Sequence, residues 1–443
     1  MLLRLVATAL VFQLANGFID QFVHLPLIPV TKDVGEGKLV FLQAVWRHGD
    51  RTPLVSLRND NNTWPGTRGE LTTRGMSDQV VLGEKLRTRY IEKLRFLGKR
   101  YTSKEIHVRS TDVNRTLISA MANMIGFYKD AKADEDYPDH PLWPAGFVPV
   151  PVHTEDYAYD YVGNVDRHCP RTVALTKLLQ TTPHYSNISE SNKEFLDEIS
   201  ELSGIKLRID NLFLVHDNLL ITKRYNKPWP EGFTDEIYEK ISSLKAEADK
   251  ALFGVGYEEH EGVDLSLELA KIRGGPLLSH FVEQIQNKVL CATKPFKDQT
   301  AGEKRVCRWM KPLKYHAISA HDMTIAGLFA AFGFNQTNYH APGLPDYASA
   351  VTVELREQNG THHVKVLFWP PNNPFHYQDI TAEVSDCDEK CDLEQFLKRS
   401  EPYKVEDAKE LCDTLLFGAS VRPTTSLLSL ISLLFIVGVL FTM

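Results

Sequence analysis

Arg47, His48 and Arg51 share one short stretch, Val45-Trp46-Arg47-His48-Gly49-Asp50-Arg51-Thr52-Pro53. Each arginine offers a planar fork of donors that suits phosphate oxygens. The histidine between them is a poor choice for a further cation, because two fixed positive charges disfavour its protonation. The imidazole should stay neutral and nucleophilic at acidic pH. The implied chemistry is an anion gripped by guanidiniums beside a nitrogen able to attack it. A surface turn with solvated arginines and an incidental histidine could use any one of these residues. The joint pattern Arg-His-Gly-x-Arg-x-Pro argues against that.

Two further stretches carry the same kind of chemistry. Residues 105–111 (EIHVRST) read as a buried strand with Arg109 near its end, and 112–128 as a capped, apolar helix. Strand, arginine, Ser-Thr and helix N-terminus together make an anion site. Arg115, inside that helix, is read as structural. His321-Asp322 ends a third apolar strand, 314–320, and opens an apolar helix, 323–332. Alone, a His-Asp pair equally fits a metal-ligand pair or a helix-capping aspartate beside a satisfied histidine. Its place between strand and helix, like that of the Arg109 stretch, groups it with the other two.

The elements that must position these residues are legible around them. Residues 38–46 (KLVFLQAVW) form a short apolar run rich in branched and aromatic side chains, hence a buried strand. Gly49 and Pro53 turn the chain into a tight loop, and loops leaving strand ends are where open α/β sheets hold ligands. Val80, Val81, Leu82, Leu86, Tyr90 and Leu94 line one face of a scaffold helix over 76–96. From about residue 130 the strand signal fades, Pro-rich connections appear, and helices are expected over 175–180, 192–202 and 234–252. His153 and Asp156 fall in or beside the Pro-rich stretch 149–154. Lys271-Ile272-Arg273-Gly274-Gly275-Pro276 opens the return, followed by a helix over 277–290. Strands over 347–355 and 362–369 should lie at the sheet edge. The expected organisation is an α/β core over 18–130 and 275–415, with a mainly helical cap inserted over 131–274.

The chain has 443 residues, 57 acidic against 50 basic, for a net charge of −7. That balance leaves no electrostatic footprint for nucleic acid, so any anion site is a local concentration of arginine. Residues 1–17 carry Arg4, an apolar run and small residues at Ala15 and Gly17, the pattern of a secretory signal peptide. Residues 421–443 end in an uninterrupted apolar run with no Lys or Arg after it. This suits either a transmembrane anchor or a lipid-anchor signal preceded by small Gly418, Ala419 and Ser420. The six cysteines, Cys169, Cys291, Cys307, Cys387, Cys391 and Cys412, form an even set in a chain addressed outside the cytosol, where disulfides are expected. A zinc site is disfavoured, since Cys387 and Cys391 lack a second ligand pair nearby. Sequons at Asn61, Asn187, Asn335 and Asn359 fit a glycoprotein; the one at Asn114 falls beside the expected site.

The three stretches, in this order and spacing, resemble the signature blocks of the histidine acid phosphatases, branch 2 of the histidine phosphatase superfamily, nearest the animal lysosomal and prostatic type. The likeness covers most of 38–415; within it 149–154 resembles the block that enters the cap, which implies pocket lining for His153 and Asp156. It implies a three-layer α/β core, with a mostly parallel sheet flanked by helices, and hydrolysis of phosphate monoesters without metal or cofactor. By the same likeness His48 takes the phosphoryl group, Asp322 donates the proton, and Arg47, Arg51, Arg109 and His321 bind phosphate. It further implies bridges Cys169–Cys412 and Cys387–Cys391. Here the chain departs from its relatives: Ala350 and the cap segment near His216 carry no cysteine, which leaves Cys291 and Cys307 to pair with each other. Expected partners are phosphate monoesters, a membrane through the C-terminal segment, and a second copy in a homodimer. The expected location is the secretory pathway, at the extracellular face of a membrane or in a lysosome-like lumen. The rival readings are a narrower, phytase-like phosphatase on this fold and a non-catalytic, receptor-like ectodomain.

Overall fold

Side chains alternate across a strand, and along the first strand this alternation decides where Arg47 points. In β1 (Lys38–Arg47), Phe41 and Val45 enter one apolar cluster while Leu42, Ala44 and Trp46 enter another. Arg47 therefore falls on the Phe41–Val45 face. The computed structural model describes residues 37–339, 342–371 and 377–416. The expected signal peptide and the expected anchor segment lie outside the described residues.

Six more strands complete a seven-stranded sheet: β2 (Ile106–Thr111), β3 (Val152–Glu155), β4 (Tyr315–Ala320), β5 (Ala350–Gln358), β6 (Thr361–Trp369) and β7 (Gln378–Asp379), in the order β3-β2-β4-β1-β5-β6-β7. The pairs β3·β2, β2·β4 and β4·β1 are parallel, while β5·β6 and β6·β7 are antiparallel. The register sets Arg47 opposite Ala320 and Ser110 opposite Ser319. The chain thus leaves the parallel β1, β2 and β4 at the same, C-terminal end of the sheet, which is what brings the three signature stretches together.

Helices cover both faces. α1 (Thr73–Arg87) and α2 (Asn114–Phe127) pack Leu82, Leu86, Ala120, Met124 and Phe127 onto the Trp46 face. The Thr72 hydroxyl caps α1 by accepting from Gly75 N. α3 (Pro170–Gln180), α4 (Pro183–Ser191), α5 (Lys193–Ser203), α6 (Phe213–Arg224) and α7 (Asp235–Leu252) follow β3. Ile199, Leu212, Val215, Leu219 and Ile241, all fully buried, give this region a core of its own. At roughly 1.5–3 kcal/mol per fully buried large apolar side chain, that is enough to hold the helices as a layer. α8 (Leu265–Thr293), α9 (Ala301–Met310), α10 (Asp322–Ala331), α11 (Leu393–Ser400) and α12 (Ala408–Asp413) complete the set. Leu277, Phe281, Ile325, Phe329 and Phe396 from α8, α10 and α11 fill the Phe41 face. The result is the mostly parallel, helix-flanked sheet expected from the sequence.

Three local features differ from expectation. Gly274-Gly275-Pro276 does not open a helix but lies inside α8, which runs unbroken from Leu265. The reason is packing: a Cβ on Gly274 would lie 1.8 Å from the carbonyl oxygen of Gly327 in α10, so the glycine permits backbone contact between the two helices. Residues 265–274, within the expected cap, share one helix with residues 275–293. The scaffold helix expected to reach residue 96 ends as α at Arg87 and continues as a wider turn, Thr88–Lys93. That turn brings Arg89 and Tyr90 to the buried carboxylate of Glu354, each at 2.8 Å. Finally, the stretch around His153 is the edge strand β3.

The cysteines pair as Cys169–Cys412, Cys291–Cys307 and Cys387–Cys391, with Cα separations of 4.9, 5.2 and 4.8 Å. The first ties the start of α3 to α12 across the longest span of chain.

Candidate active site

The loop after β1 is held by its neighbours before any ligand is considered. Gly49 N donates to Ser119 Oγ of α2 (3.1 Å), and Gln79 Nε2 of α1 donates to Arg47 O (2.8 Å). A Cβ on Gly49 would sit 2.0 Å from Gly75 O, so loop and helix touch backbone to backbone. Asp50, fully buried, accepts from Thr72 Oγ1 (2.7 Å) and pairs with Arg224 of α6 (3.2 Å). Its role is to lock the loop and to tie it to the helical layer.

This frame fixes the His48 ring. The ring is 2% exposed, and its Nδ1 lies 2.8 Å from the carbonyl of Gly49. A carbonyl can only accept, so Nδ1 carries the proton and Nε2 keeps its lone pair. Burial, then Arg47, Arg115, His321 and Arg51, holds His48 well below the usual imidazole range. It is neutral at acidic pH, as its flanking arginines implied.

Around it stand residues from four elements and the loop before β5. Arg47 Nη2 pairs with Asp322 Oδ2 (2.8 Å), and its Nη1 donates to Pro345 O (2.7 Å). Arg51 makes a forked pair with Asp217 of α6 (3.0 and 2.7 Å). His321 Nε2 is 3.0 Å from Thr111 Oγ1, and its ring lies 5.7 Å from that of His48, edge to face. Burial and the neighbouring guanidiniums push His321 down to about 3. Asp322 opens α10. Burial by itself would raise its carboxyl, yet Arg47, with Lys245, His321 and Arg51, holds it below the ordinary carboxylate value. A cavity of about 1010 Å³ opens over these groups.

Arg109 is absent from that cavity lining, and Arg115 is in it. The structure thus places the two arginines the other way round from the sequence expectation. The cause is alternation along β2: Ile106 and Val108 pack under α2, so His107 and Arg109 point the other way. There Arg109 donates to Glu155 (3.1 Å) and to the fully buried Asp160. His107 stacks at 4.6 Å on His153 and at 5.2 Å on His316, which lies 5.1 Å from His280. His153 and Asp156 are likewise absent from the lining of the cavity. Arg115, on the first turn of α2, faces the cavity instead. Burial, then the charge of Arg51, pulls its guanidinium below the ordinary value. A helix N-terminus aimed at the site was the available signal for Arg115, because its first residues face whatever the helix dipole faces.

Sequence reasoning also passed over Tyr347 and the residues of the helical layer. The ring of Tyr347, 2% exposed, supports Arg47, Arg51 and Arg224 at 4.1, 5.9 and 5.3 Å. It spaces three like charges that would otherwise repel. From the other side, Asp217, His216, Glu239, Lys245 and Asp249 line the cavity. The sequon residues Asn61, Asn187, Asn335 and Asn359 are all exposed, as is Asn114. Among the described residues no group of histidine, cysteine and acidic side chains is arranged to hold a metal ion, and no helix is long and apolar enough to cross a membrane.

A seven-stranded, mostly parallel sheet with a neutral histidine ringed by arginines at the C-terminal ends of its strands defines a histidine phosphatase. The chain belongs to the Histidine phosphatase superfamily (branch 2), which it matches over residues 38–369. Similar proteins include a lysosomal acid phosphatase of Bos taurus, 30% identical over 408 residues that cover 91% of this chain and 86% of that one. Another is a lysosomal acid phosphatase of Xenopus laevis, 31% identical over 386 residues, covering 86% and 80%. Among solved structures, a phytase from Citrobacter braakii matches with a TM-score of 0.58 at 15% identity, over 85% of this chain and all of that one. A Hafnia alvei phytase with myo-inositol hexakis sulphate gives the same TM-score and identity over 86% of this chain. At that identity the likeness concerns the fold.

Proposed function

We propose that the protein is an acid phosphatase that hydrolyses phosphate monoesters through a phosphohistidine on His48. The observation that carries this reading is the commitment of His48 Nδ1 to the Gly49 carbonyl, which leaves a neutral Nε2 free inside a ring of guanidiniums. Nε2 attacks phosphorus in line. The phosphorus–oxygen ester bond breaks, and its electron pair leaves on the alcohol oxygen, which takes a proton from Asp322. Asp322, now a carboxylate, takes a proton from water as the hydroxide oxygen bonds phosphorus. The phosphorus–nitrogen bond then breaks, and its electrons return to Nε2. Arg47, Arg51, Arg115 and His321 surround the phosphoryl oxygens and offset their growing charge.

The pair between Arg47 and Asp322 times the acid. With the cavity empty, Arg47 keeps Asp322 ionised; a dianionic phosphoryl group drawn onto Arg47 offsets that charge and lets Asp322 take up a proton. Acid form and substrate thus arrive together, which supports an acidic optimum. Arg109 belongs to the scaffold in this scheme. Arg224 pairs with Asp50 and Asp346, Lys245 with Asp249 and Lys250 with Glu247, so the outer cavity is not a field of free cations. That favours small monoesters over the polyphosphorylated ester of a phytase. Relatives named lysosomal acid phosphatases, three disulfides and exposed sequons support passage through the secretory pathway, with residues 1–17 as leader and 421–443 as membrane attachment. The test is a rapid quench with labelled substrate at about pH 5. An acid-labile, base-stable label on His48 is expected; a label on Ser, Asp or Cys would end the scheme.

A further inference from the structure

The reaction scheme leaves unused an ion pair built into the wall of the cavity. Lys245 and Asp249 lie one turn apart on α7, joined to each other, with side chains 13% and 5% exposed. A salt bridge this enclosed is costly to maintain unless something else uses one of its members. Both partners line the same cavity as Arg47, His48 and Asp322. Lys245 comes next after Arg47 among the charges that hold Asp322 down, and Asp322 and Arg47 in turn act on Asp249. The pair therefore stands on the proton-donor side of the site, where the leaving group of a bound ester must lie.

We infer that Lys245 is a specificity residue for phosphate monoesters whose leaving group carries a second anion, such as a carboxylate, and that Asp249 masks it except at acidic pH. The inference rests on the assignment of His48 and Asp322 made above. Burial is the main cause that pushes the Asp249 carboxyl up, to about 6, against the pull of Lys245. The sign follows directly. Above about pH 6 Asp249 is ionised and neutralises the ammonium; below it Asp249 is uncharged and the ammonium is left for the substrate.

The other groups around the pair do not replace that switch. Lys245 shares α7 with Asp249, Asp322 faces it from α10, Arg47 from β1, and the Gly343 backbone closes the side before β5. His216 of α6, which also feels Lys245, is held at about 3 by burial and stays neutral. Glu247 is bound to Lys250 at 2.9 Å, and Glu239 lies 4.0 Å from Lys223. Asp166, raised by burial, lies 3.8 Å from Arg273.

Glycerol 3-phosphate and 3-phosphoglycerate make a matched pair of probes, differing only by a hydroxymethyl group against a carboxylate. Ionisation of their phosphate groups cancels in the ratio of their kcat/KM values, and partial misfolding of a variant cancels too. Between pH 7 and pH 5 the ratio, 3-phosphoglycerate over glycerol 3-phosphate, should rise roughly tenfold in the unaltered enzyme, the worth of one charge-assisted hydrogen bond. Asp249→Asn should give a high ratio that no longer changes with pH. Lys245→Gln should give a low one at every pH. A pH-independent ratio in the unaltered enzyme, or a Lys245→Gln variant that keeps the rise, overturns the inference. If neither ester is hydrolysed while p-nitrophenyl phosphate is, the inference falls and the phosphatase reading stands; hydrolysis of none of the three removes both.

Discussion

The floor and the wall of the cavity are built on opposite plans. The floor comes from the ends of β1 and β4 and the start of α2, with cations concentrated around one neutral nucleophile: Arg47, Arg51 and Arg115 about His48. Three cations there meet two carboxylates, Asp322 on Arg47 and Asp217 on Arg51, which leaves a positive excess, with Tyr347 as the spacer. The wall comes from α6 and α7, and there cations sit beside carboxylates, as in Lys245–Asp249 and Lys250–Glu247. An excess of positive charge at the floor suits a group that arrives as a dianion. Paired charge at the wall suits the variable remainder of the substrate, since compensated charges attract no particular group until one partner is neutralised. The difference separates a part that determines reaction type from a part that grades substrates.

The largest effect should come from the floor. His48→Ala should lower kcat/KM for p-nitrophenyl phosphate by roughly 10⁴-fold or more and abolish labelling of the protein. Residual labelling elsewhere would place the nucleophile outside the arginine ring. Next, Asp322→Asn should cost ~10²–10⁴-fold with an alkyl phosphate, whose leaving alkoxide needs a proton, and far less with p-nitrophenyl phosphate. Equal losses on the two esters would remove Asp322 from proton transfer and reduce it to a helix-start residue.

The two arginines sharpen the contrast between site and scaffold. Arg115→Ala should cost ~10²–10³-fold in kcat/KM with little change in melting temperature. Arg109→Ala should do the reverse, leaving Asp160 buried without its cation at a cost of about 3–5 kcal/mol of stability. A stable, inactive Arg109 variant would return that residue to phosphate binding.

A smaller effect concerns the histidine stack beneath Arg109. Burial holds His107 and His280 at about 4, against 6.5 unfolded. The unfolded chain therefore takes up protons first, and the stability contributed by neutral histidines is present above about 6.5 and lost as pH falls through about 4. Calorimetry from pH 7 to pH 4.5 should show a falling melting temperature; a flat or rising one would remove the stack as the acid-sensitive element. The smallest effect is none: dialysis against a chelator should leave activity unchanged, because nucleophile, acid and charge clamp are all side chains. Lost activity restored by a divalent cation would contradict the scheme.

How much of this was legible in the amino-acid sequence follows from where each residue gets its environment. β1 announces itself because a strand buried on both faces is largely apolar, whereas β2 and β4 are marked by shorter apolar stretches that run into a helix start. Arg47, His48 and Arg51 are contiguous, and His321-Asp322 sits where a strand meets a helix. β3 is too short and too exposed to carry such a signal: Val152-His153-Thr154-Glu155 becomes a strand by pairing with β2. The choice between Arg109 and Arg115 needed the parity of β2, which position in the chain alone does not display. Tyr347, Asp217, Lys245 and Asp249 were invisible for a further reason. They reach the site through tertiary packing of distant segments, with no local pattern to mark them.

The contact between Gly49 and Gly75 bears on how variants of this protein should be scored. In a saturation library selected for activity, every substitution at position 49 would rank with those at His48, because any side chain there drives the loop off α1. Selected for abundance of folded protein, the two positions would part company: His48 would tolerate many replacements and Gly49 almost none. Only the difference between the two screens would distinguish a nucleophile from the hinge plate on which it is mounted, and a glycine that scores as catalytic in the first would be unmasked by the second.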